Sequence, residues 1–359
     1  MTTYRLFHQL TLTLAAVVVI AQAATADPLP GRDLTKFSQR PMIGTAVATT
    51  NTAGVTTTTL YGGHDELSTA YGFIANAAQP PIDYSGRFMA DDFADNLSSP
   101  IVHVKWWGSY HNDFINPNMP VTKFLVSFEN DVPAGPAPSF SRPTDVGNFN
   151  QVVNLANVLT PGSGTYTEKL IRGPDTVVNE SLYEYNAELN LGKAFPELKD
   201  TVYWLKVVAM VDVTPGITFP TATPPPFVTQ WGWHNRDYSI KDTLASPNVA
   251  PGETQVGVAG NTTPIWHFQD DAVMGDVRIL PGINGGFLMP QVFQPAQNMQ
   301  PTNYLDFADG PGPGLIPGTI PISAYSKDLA FELYTVVPEP ATAALAGFAL
   351  LGLVVRRRQ

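Results

Sequence analysis

Residues 201–213 read TVYWLKVVAMVDV, the stretch of this chain most typical of a buried β-strand. One face carries the apolar side chains Tyr203, Leu205, Val207, Ala209 and Val211, and the other carries Trp204, Val208 and Met210. Apolar side chains on both faces indicate a strand covered on both sides. We therefore expect residues 201–213 to lie at the centre of a β-sheet.

Other strand-like stretches surround this one. Residues 101–107, 122–130, 181–191 and 328–337 alternate or are rich in β-branched and aromatic side chains, and Gly and Pro separate them. We expect an all-β fold, an antiparallel β-sandwich of jelly-roll type. It would span the exported body, residues 27–336, as one module; two smaller sandwiches divided near Pro224 are the alternative.

The composition limits the partners. With 33 Pro, 29 Gly and only 14% charged residues, the chain suits short strands and turns. Setting aside Arg5, the three C-terminal arginines and Glu339 leaves 16 basic and 30 acidic residues, a net charge of −14 for the body. Such a charge argues against nucleic acid and against anionic membrane surfaces as partners.

The N-terminus has the pattern of a secretory signal. Arg5 precedes an apolar run, expected to be helical, and the Ala24-Thr25-Ala26 sequence offers a signal peptidase site, which gives a signal peptide over residues 1–26. There is no cysteine, so the exported fold must be stabilised without disulfides.

The C-terminal segment, residues 337–359, has a distinctive layout. Pro338, Glu339 and Pro340 precede an apolar stretch at 341–355, and Arg356, Arg357 and Arg358 follow. The stretch is short for a transmembrane helix, but flanking arginines can extend it and stay cytoplasmic. The segment resembles the PEP-CTERM sorting tail. That resemblance implies a membrane-anchored precursor, cleavage by exosortase, and delivery to the cell surface or extracellular matrix.

Four short, distinct motifs lie along the body. They are residues 36–39 (KFSQ), 90–93 (ADDF), 107–110 (WGSY) and 328–331 (DLAF). In this respect the body resembles an uncharacterised β-rich module of secreted, PEP-CTERM-tailed bacterial proteins. The resemblance implies a single module and no particular activity.

Acidic side chains are the candidates for a metal site. Asp91, Asp92 and Asp271 lie in acidic clusters, and calcium prefers oxygen ligands of this kind. The same residues are common in turns, where they bind no metal. A structural calcium ion is thus one of two readings of these clusters.

Aromatic side chains are the candidates for a glycan site. Trp107, Tyr110, Trp231 and Trp233 lie in two aromatic groups, and flat rings can stack on sugars. Tryptophan is also a common core residue, so the same rings could be buried. Trp106 and Trp107, being neighbours on a strand, are expected to point to opposite faces.

No catalytic motif is present: the sequence has no G-x-S-x-G, no H-E-x-x-H and no phosphate-binding loop. We expect a non-enzymatic surface or matrix protein that binds or assembles with extracellular polysaccharide. A purely structural surface protein is the nearest alternative, and a secreted glycan-acting hydrolase with paired carboxylates is the third.

Overall fold

The structure is a computed structural model. It describes residues 34–43, 47–50, 56–59, 65–74, 83–95, 97–111, 120–138, 140–144, 149–156, 163–173, 181–190, 192, 194–213, 228–236, 253–256, 265–268, 272–279, 300–301, 315–316, 320–321 and 328–336. The signal peptide, the apolar stretch 341–355, the sorting residues and Asp271 lie outside these ranges. Within them, no helical segment has the length and apolar character needed to span a bilayer.

All the regular elements in the described part of the chain are strands. In chain order they are β1 (Leu34–Gln39), β2 (Val47–Thr50), β3 (Thr56–Thr59), β4 (Asp65–Leu67), β5 (Thr69–Phe73), β6 (Tyr84–Phe93), β7 (His103–Tyr110), β8 (Lys123–Val132), β9 (Arg142–Pro143), β10 (Phe149–Leu155), β11 (Thr165–Arg172), β12 (Leu182–Glu188), β13 (Tyr203–Val213), β14 (Trp231–His234), β15 (Glu253–Val256), β16 (Ile265–Phe268), β17 (Val273–Ile279), β18 (Gln300–Pro301), β19 (Leu315–Ile316), β20 (Ile320–Pro321) and β21 (Phe331–Thr335).

One sheet of 15 strands contains most of them. Twelve follow the order β1-β21-β7-β12-β11-β10-β8-β13-β5-β6-β17-β18, and β4, β9 and β14 lie off this path. Strands from both sides of the Pro224 run share this sheet, and residues Thr35–Thr335 form one compact unit. The all-β class is therefore confirmed. A sandwich of jelly-roll type is not confirmed, because most strands form one large sheet and two of its pairs, β10–β11 and β13–β5, are parallel.

The hydrogen bonding of this sheet closes on itself. Strand β14 pairs with β7 on one edge and with β4 on the other. Only Ser68 separates β4 from β5, and β5 pairs with β13. The backbone of Ser68 makes the link, since its N–H donates to Trp231 O (3.1 Å) and its O accepts from Ala209 N (2.9 Å). The strands thus enclose an interior.

Aromatic rings fill that interior. Phe124 on β8 packs across it against Trp106 on β7 and Trp231 on β14, with ring centroids 5.3 and 4.8 Å apart. Strand β13 behaves as its sequence predicts. Its Leu205 face belongs to this main core, and its Trp204 face belongs to a second apolar cluster with β6 and β17.

Strand β7 is longer than its sequence suggests. The sequence predicts a strand over residues 101–107 that ends before Gly108, yet β7 runs on to Tyr110. A Cβ at position 108 would overlap the Gly232 carbonyl oxygen and stand 2.5 Å from Trp231 Cε2. Glycine therefore lets β14 approach β7 closely, and it does not break the strand.

Candidate functional site

The four short motifs meet at one place in the fold. Phe37 on β1, Phe93 on β6 and Phe331 on β21 come from three of them. Their ring centroids are 5.0 to 6.3 Å apart, and the Phe37 and Phe331 rings are stacked. The fourth motif is adjacent, because β7 pairs with β21. These residues, far apart in sequence, build one buried cluster.

Asp91 is the polar centre of this cluster. Its carboxylate accepts hydrogen bonds from the backbone N–H groups of Leu329 (2.7 Å) and Asp92 (3.0 Å). The Gln39 amide, oriented to satisfy both its neighbours, donates to Asp91 Oδ2 at 3.2 Å and to Leu329 O at 2.7 Å. The Asp91 side chain on β6 thus joins β1 and the segment that leads into β21.

A second carboxylate and a guanidinium complete the site. Arg236 Nη1 lies 2.9 Å from Asp328 Oδ2, and both side chains are buried. Burial raises the pKa of Asp91 well above its ordinary range, and the charge of Asp328 adds to the rise. Backbone N–H groups and Arg236 oppose it. The site therefore holds two carboxyl groups beside one cation.

The charged groups of the Asp91 cluster are inaccessible to solvent. Asp91, Asp328 and Arg236 are each at most 1% exposed, and their polar atoms contact other parts of the fold. A buried carboxylate network of this kind holds strands in register, whereas a catalytic pair must reach its substrate. We conclude that the Asp91 cluster stabilises the fold.

The predicted calcium ligands do not converge within the described ranges. Asp91 points into the main core, whereas Asp92 is in register with Trp204, on the face of the second apolar cluster. Among the residues that the structure describes, no group of three or more His, Asp or Glu side chains is arranged to hold a metal ion. Asp271 lies outside those residues, so calcium stays a prediction.

The predicted glycan-binding aromatics are packed in the protein. Trp231 and Trp233 are 0% exposed, Trp107 is 5% and Tyr110 is 8%. The Trp231 ring packs against Phe124, and Trp233 Nε1 donates to Ala330 O at 2.9 Å. Of the two readings that the sequence allows, core packing describes Trp231 and Trp233, which therefore present no open stacking face.

Tyr110 and Trp107 are also engaged. The Tyr110 hydroxyl donates to Glu168 and accepts from Val121 N at 3.0 Å. Trp107 packs against Leu182 and Ala330, opposite in direction to Trp106, as expected for neighbours on a strand. It lies on the outer side of β7, near Lys105.

This outer side carries a set of residues that we call the Lys105 patch: Lys105, Trp107, Glu184, Glu332 and Tyr334. Lys105 Nζ lies 3.5 Å from Glu332 Oε2 and 3.9 Å from Glu184 Oε2. It also lies 5.9 and 5.8 Å from the ring centroids of Trp107 and Tyr334. The cation, carboxylates and ring edges form a mixed surface beside β21.

Sequence reasoning missed several of these residues. Gln39 and Asp328 were noticed only as parts of the short motifs, and Arg236 and Lys105 were not singled out as site residues. The regular order of the motifs was the signal that could have found the Asp91 cluster. Finding the cluster from these motifs required the additional idea that short motifs far apart in sequence can meet in space.

Comparison with known proteins gives two matches. Residues 36–275 match a domain of unknown function, DUF7901, and residues 336–358 match the PEP-CTERM protein-sorting motif. No curated protein and no solved structure matches the chain. The sorting motif identifies an exported protein that exosortase processes from a membrane-anchored precursor. The body match covers most of the chain, which therefore belongs to the DUF7901 family and carries a PEP-CTERM sorting tail.

Proposed function

We propose that this chain is a structural component of the cell surface or extracellular matrix, delivered there by its C-terminal motif. The Asp91 cluster is the observation that carries the proposal. Residues of the short motifs meet there in interior contacts, and the candidate glycan-binding residues Trp231 and Trp233 are buried as well. Such a body is built to persist outside the cell without disulfides.

The sorting step can be tested in a host that has an exosortase. We expect the full chain to reach the surface or matrix fraction, and a variant lacking residues 338–340 to stay in the inner membrane with its fold intact. Recovery of the full chain only from the periplasm would contradict the proposal. Loss of folding in the deletion variant would show that the tail belongs to the domain.

Polysaccharide binding is the second candidate, and the Lys105 patch favours it. Lys105 and Glu184 can hydrogen-bond to the hydroxyl groups of sugars, whereas the Trp107 and Tyr334 rings, 5% and 4% exposed, are packed. The side chains of Lys105 and Glu184 remain 18% and 23% exposed, so both can reach a ligand. This surface replaces Trp231 and Trp233 as the place where a glycan would bind.

Cosedimentation with the host's exopolysaccharide separates the two candidates. Binding that Lys105→Ala weakens at least tenfold, while Lys169→Ala on the exposed side of β11 leaves it unchanged, would assign a glycan site to the patch. Matrix retention without cosedimentation would support the structural role alone. Equal losses in both variants would point to nonspecific charge effects and contradict a site at Lys105.

A hydrolase is the third hypothesis, and we propose a non-enzymatic role instead. The two carboxyl groups of a glycosidase flank the bond they cleave. Asp91 and Asp328 are buried carboxyl groups of the Asp91 cluster, and Arg236 and backbone groups contact them. Turnover of a glycoside by the full chain, lost in Asp328→Asn with the fold retained, would overturn this part of the proposal.

A further inference from the structure

Lys36 on β1 is a buried cation with two buried acids. Its Nζ contacts Glu197 Oε1 and lies 3.5 Å from Asp95 Oδ2. It also donates to the carbonyl oxygens of Leu97, at 3.3 Å, and Ser99. All three charged side chains are at most 2% exposed. An amine and two carboxyl groups therefore share a site from which water is largely excluded.

Burial favours the uncharged forms of Lys36 and Asp95. It lowers the pKa of Lys36 to about 8, although Asp95 opposes the change. It raises the pKa of Asp95, against the influence of Lys36 and of the Leu97 N–H. A neutral amine is a nucleophile, and a neutral carboxyl group can donate a proton. The site can thus supply both.

We propose that Lys36 and Glu197 become joined by an amide bond, with Asp95 as the proton carrier. The Lys36 Nζ lone pair attacks Cδ of Glu197 and forms a tetrahedral intermediate. Asp95 gives a proton to the leaving oxygen and takes one from Nζ. One C–N bond forms, one C–O bond breaks and one water molecule leaves. The reaction involves no change of oxidation state.

Glu197 is the acceptor because its carboxyl group contacts the amine. Within the described residues, neither oxygen of Glu197 has a hydrogen-bond partner, and Oε1 contacts Lys36 Nζ. Asp95 differs, since its Oδ1 accepts a hydrogen bond from Leu97 N at 2.6 Å while its Oδ2 faces the amine. Asp95 is therefore held beside the amine as the proton carrier, and Glu197 is positioned as the group that Lys36 attacks.

A second buried pair shows what an unreacted arrangement looks like. Lys206 Nζ lies 2.7 Å from Glu129 Oε1, an ordinary ion-pair distance, and the Ser127 hydroxyl donates to the same oxygen at 3.1 Å. Among the described residues, Lys206 pairs with one acid, whereas Lys36 pairs with two. The Lys206 pair is thus a control within the same chain.

The bond would tie β1 to the loop before β13, two segments far apart in sequence. It would limit the freedom of the unfolded chain as a disulfide does. This chain has no cysteine to form one. Such a bond would stabilise the body whichever surface role the protein has.

Peptide mass spectrometry of the denatured, digested full chain tests the bond. We expect a cross-linked product joining the peptides of Lys36 and Glu197, lighter than their sum by one water molecule. Separate, unmodified peptides from the folded protein would overturn the proposal, as would a bond to Asp95 in place of Glu197. The wild-type digest decides this even where a variant fails to fold.

Variants test the assigned roles. Lys36→Arg should abolish the cross-linked product and the faster migration that it confers in a denaturing gel. Asp95→Asn should reduce the product at least tenfold in protein that remains folded by circular dichroism. Lys206→Arg, the matched control, should leave the product unchanged. An unchanged yield in Asp95→Asn would overturn the role of Asp95.

Discussion

The close approach of β14 to β7 predicts a large effect of a single methyl group. In Gly108→Ala the new Cβ would overlap the Gly232 carbonyl oxygen and the Trp231 ring. The oxygen belongs to the paired backbone and Trp231 is held in the core, so neither can move cheaply. Overpacking of this kind costs about 1–3 kcal/mol, and we expect the upper end here. The same contact helps to close the strand circuit, so the loss should extend beyond one strand pair.

Gly173→Ala is the matched control, because a Cβ there meets nothing within 4 Å. That change should be neutral or stabilise the protein by about 0.4–1 kcal/mol, through the unfolded chain. Urea denaturation of both full-length variants measures the difference, provided that the slope m stays constant. Equal midpoints for the two variants would refute the close approach of β14 to β7.

The buried Lys206 pair, the buried Asp91 carboxyl group and the predicted calcium ion can each be tested by stability measurements. Glu129→Ala leaves Lys206 uncompensated and should cost about 3–5 kcal/mol, whereas Glu129→Leu combined with Lys206→Met should recover most of that loss in the same denaturation assay. Because the fold raises the pKa of Asp91, the folded state keeps a proton that the unfolded chain releases. Stability should therefore fall as pH rises above about 4, and Asp91→Asn should flatten that slope; an identical slope in the variant would contradict the assignment. If calcium binds, EDTA should lower the melting temperature and added calcium should restore it, whereas an unchanged melting temperature would remove calcium from the account.

Much of the strand pattern could be predicted because alternation reports burial directly. Strand β13 shows this best, since its two apolar faces predicted a central position that the structure confirms. Strands β10 and β11 were missed, because polar side chains such as Asn150 and Lys169 interrupt their apolar pattern. Parallel pairing of these two strands also has no local signal, since it depends on how distant segments return to the sheet.

The candidate site was harder to predict than the fold. A tryptophan in an alternating strand has the same sequence pattern whether its ring is open or packed, so Trp231 and Trp233 allowed both readings. Burial is decided by what covers the ring, here Phe124 and Phe331 from other strands. The partners of the acidic side chains could not be predicted either. Asp91 accepts a hydrogen bond from Leu329, and this contact depends on the path of the whole chain.

Hydroxyl-radical footprinting of the native full chain tests the central claim most directly, namely that the distinctive residues of this body form its core. Trp231 and Trp233 should remain unmodified in the native protein and become modified once it is denatured. Peptide mass spectrometry would read both states in one experiment. Rapid modification of Trp231 and Trp233 in the native protein would contradict the account and restore an open aromatic platform.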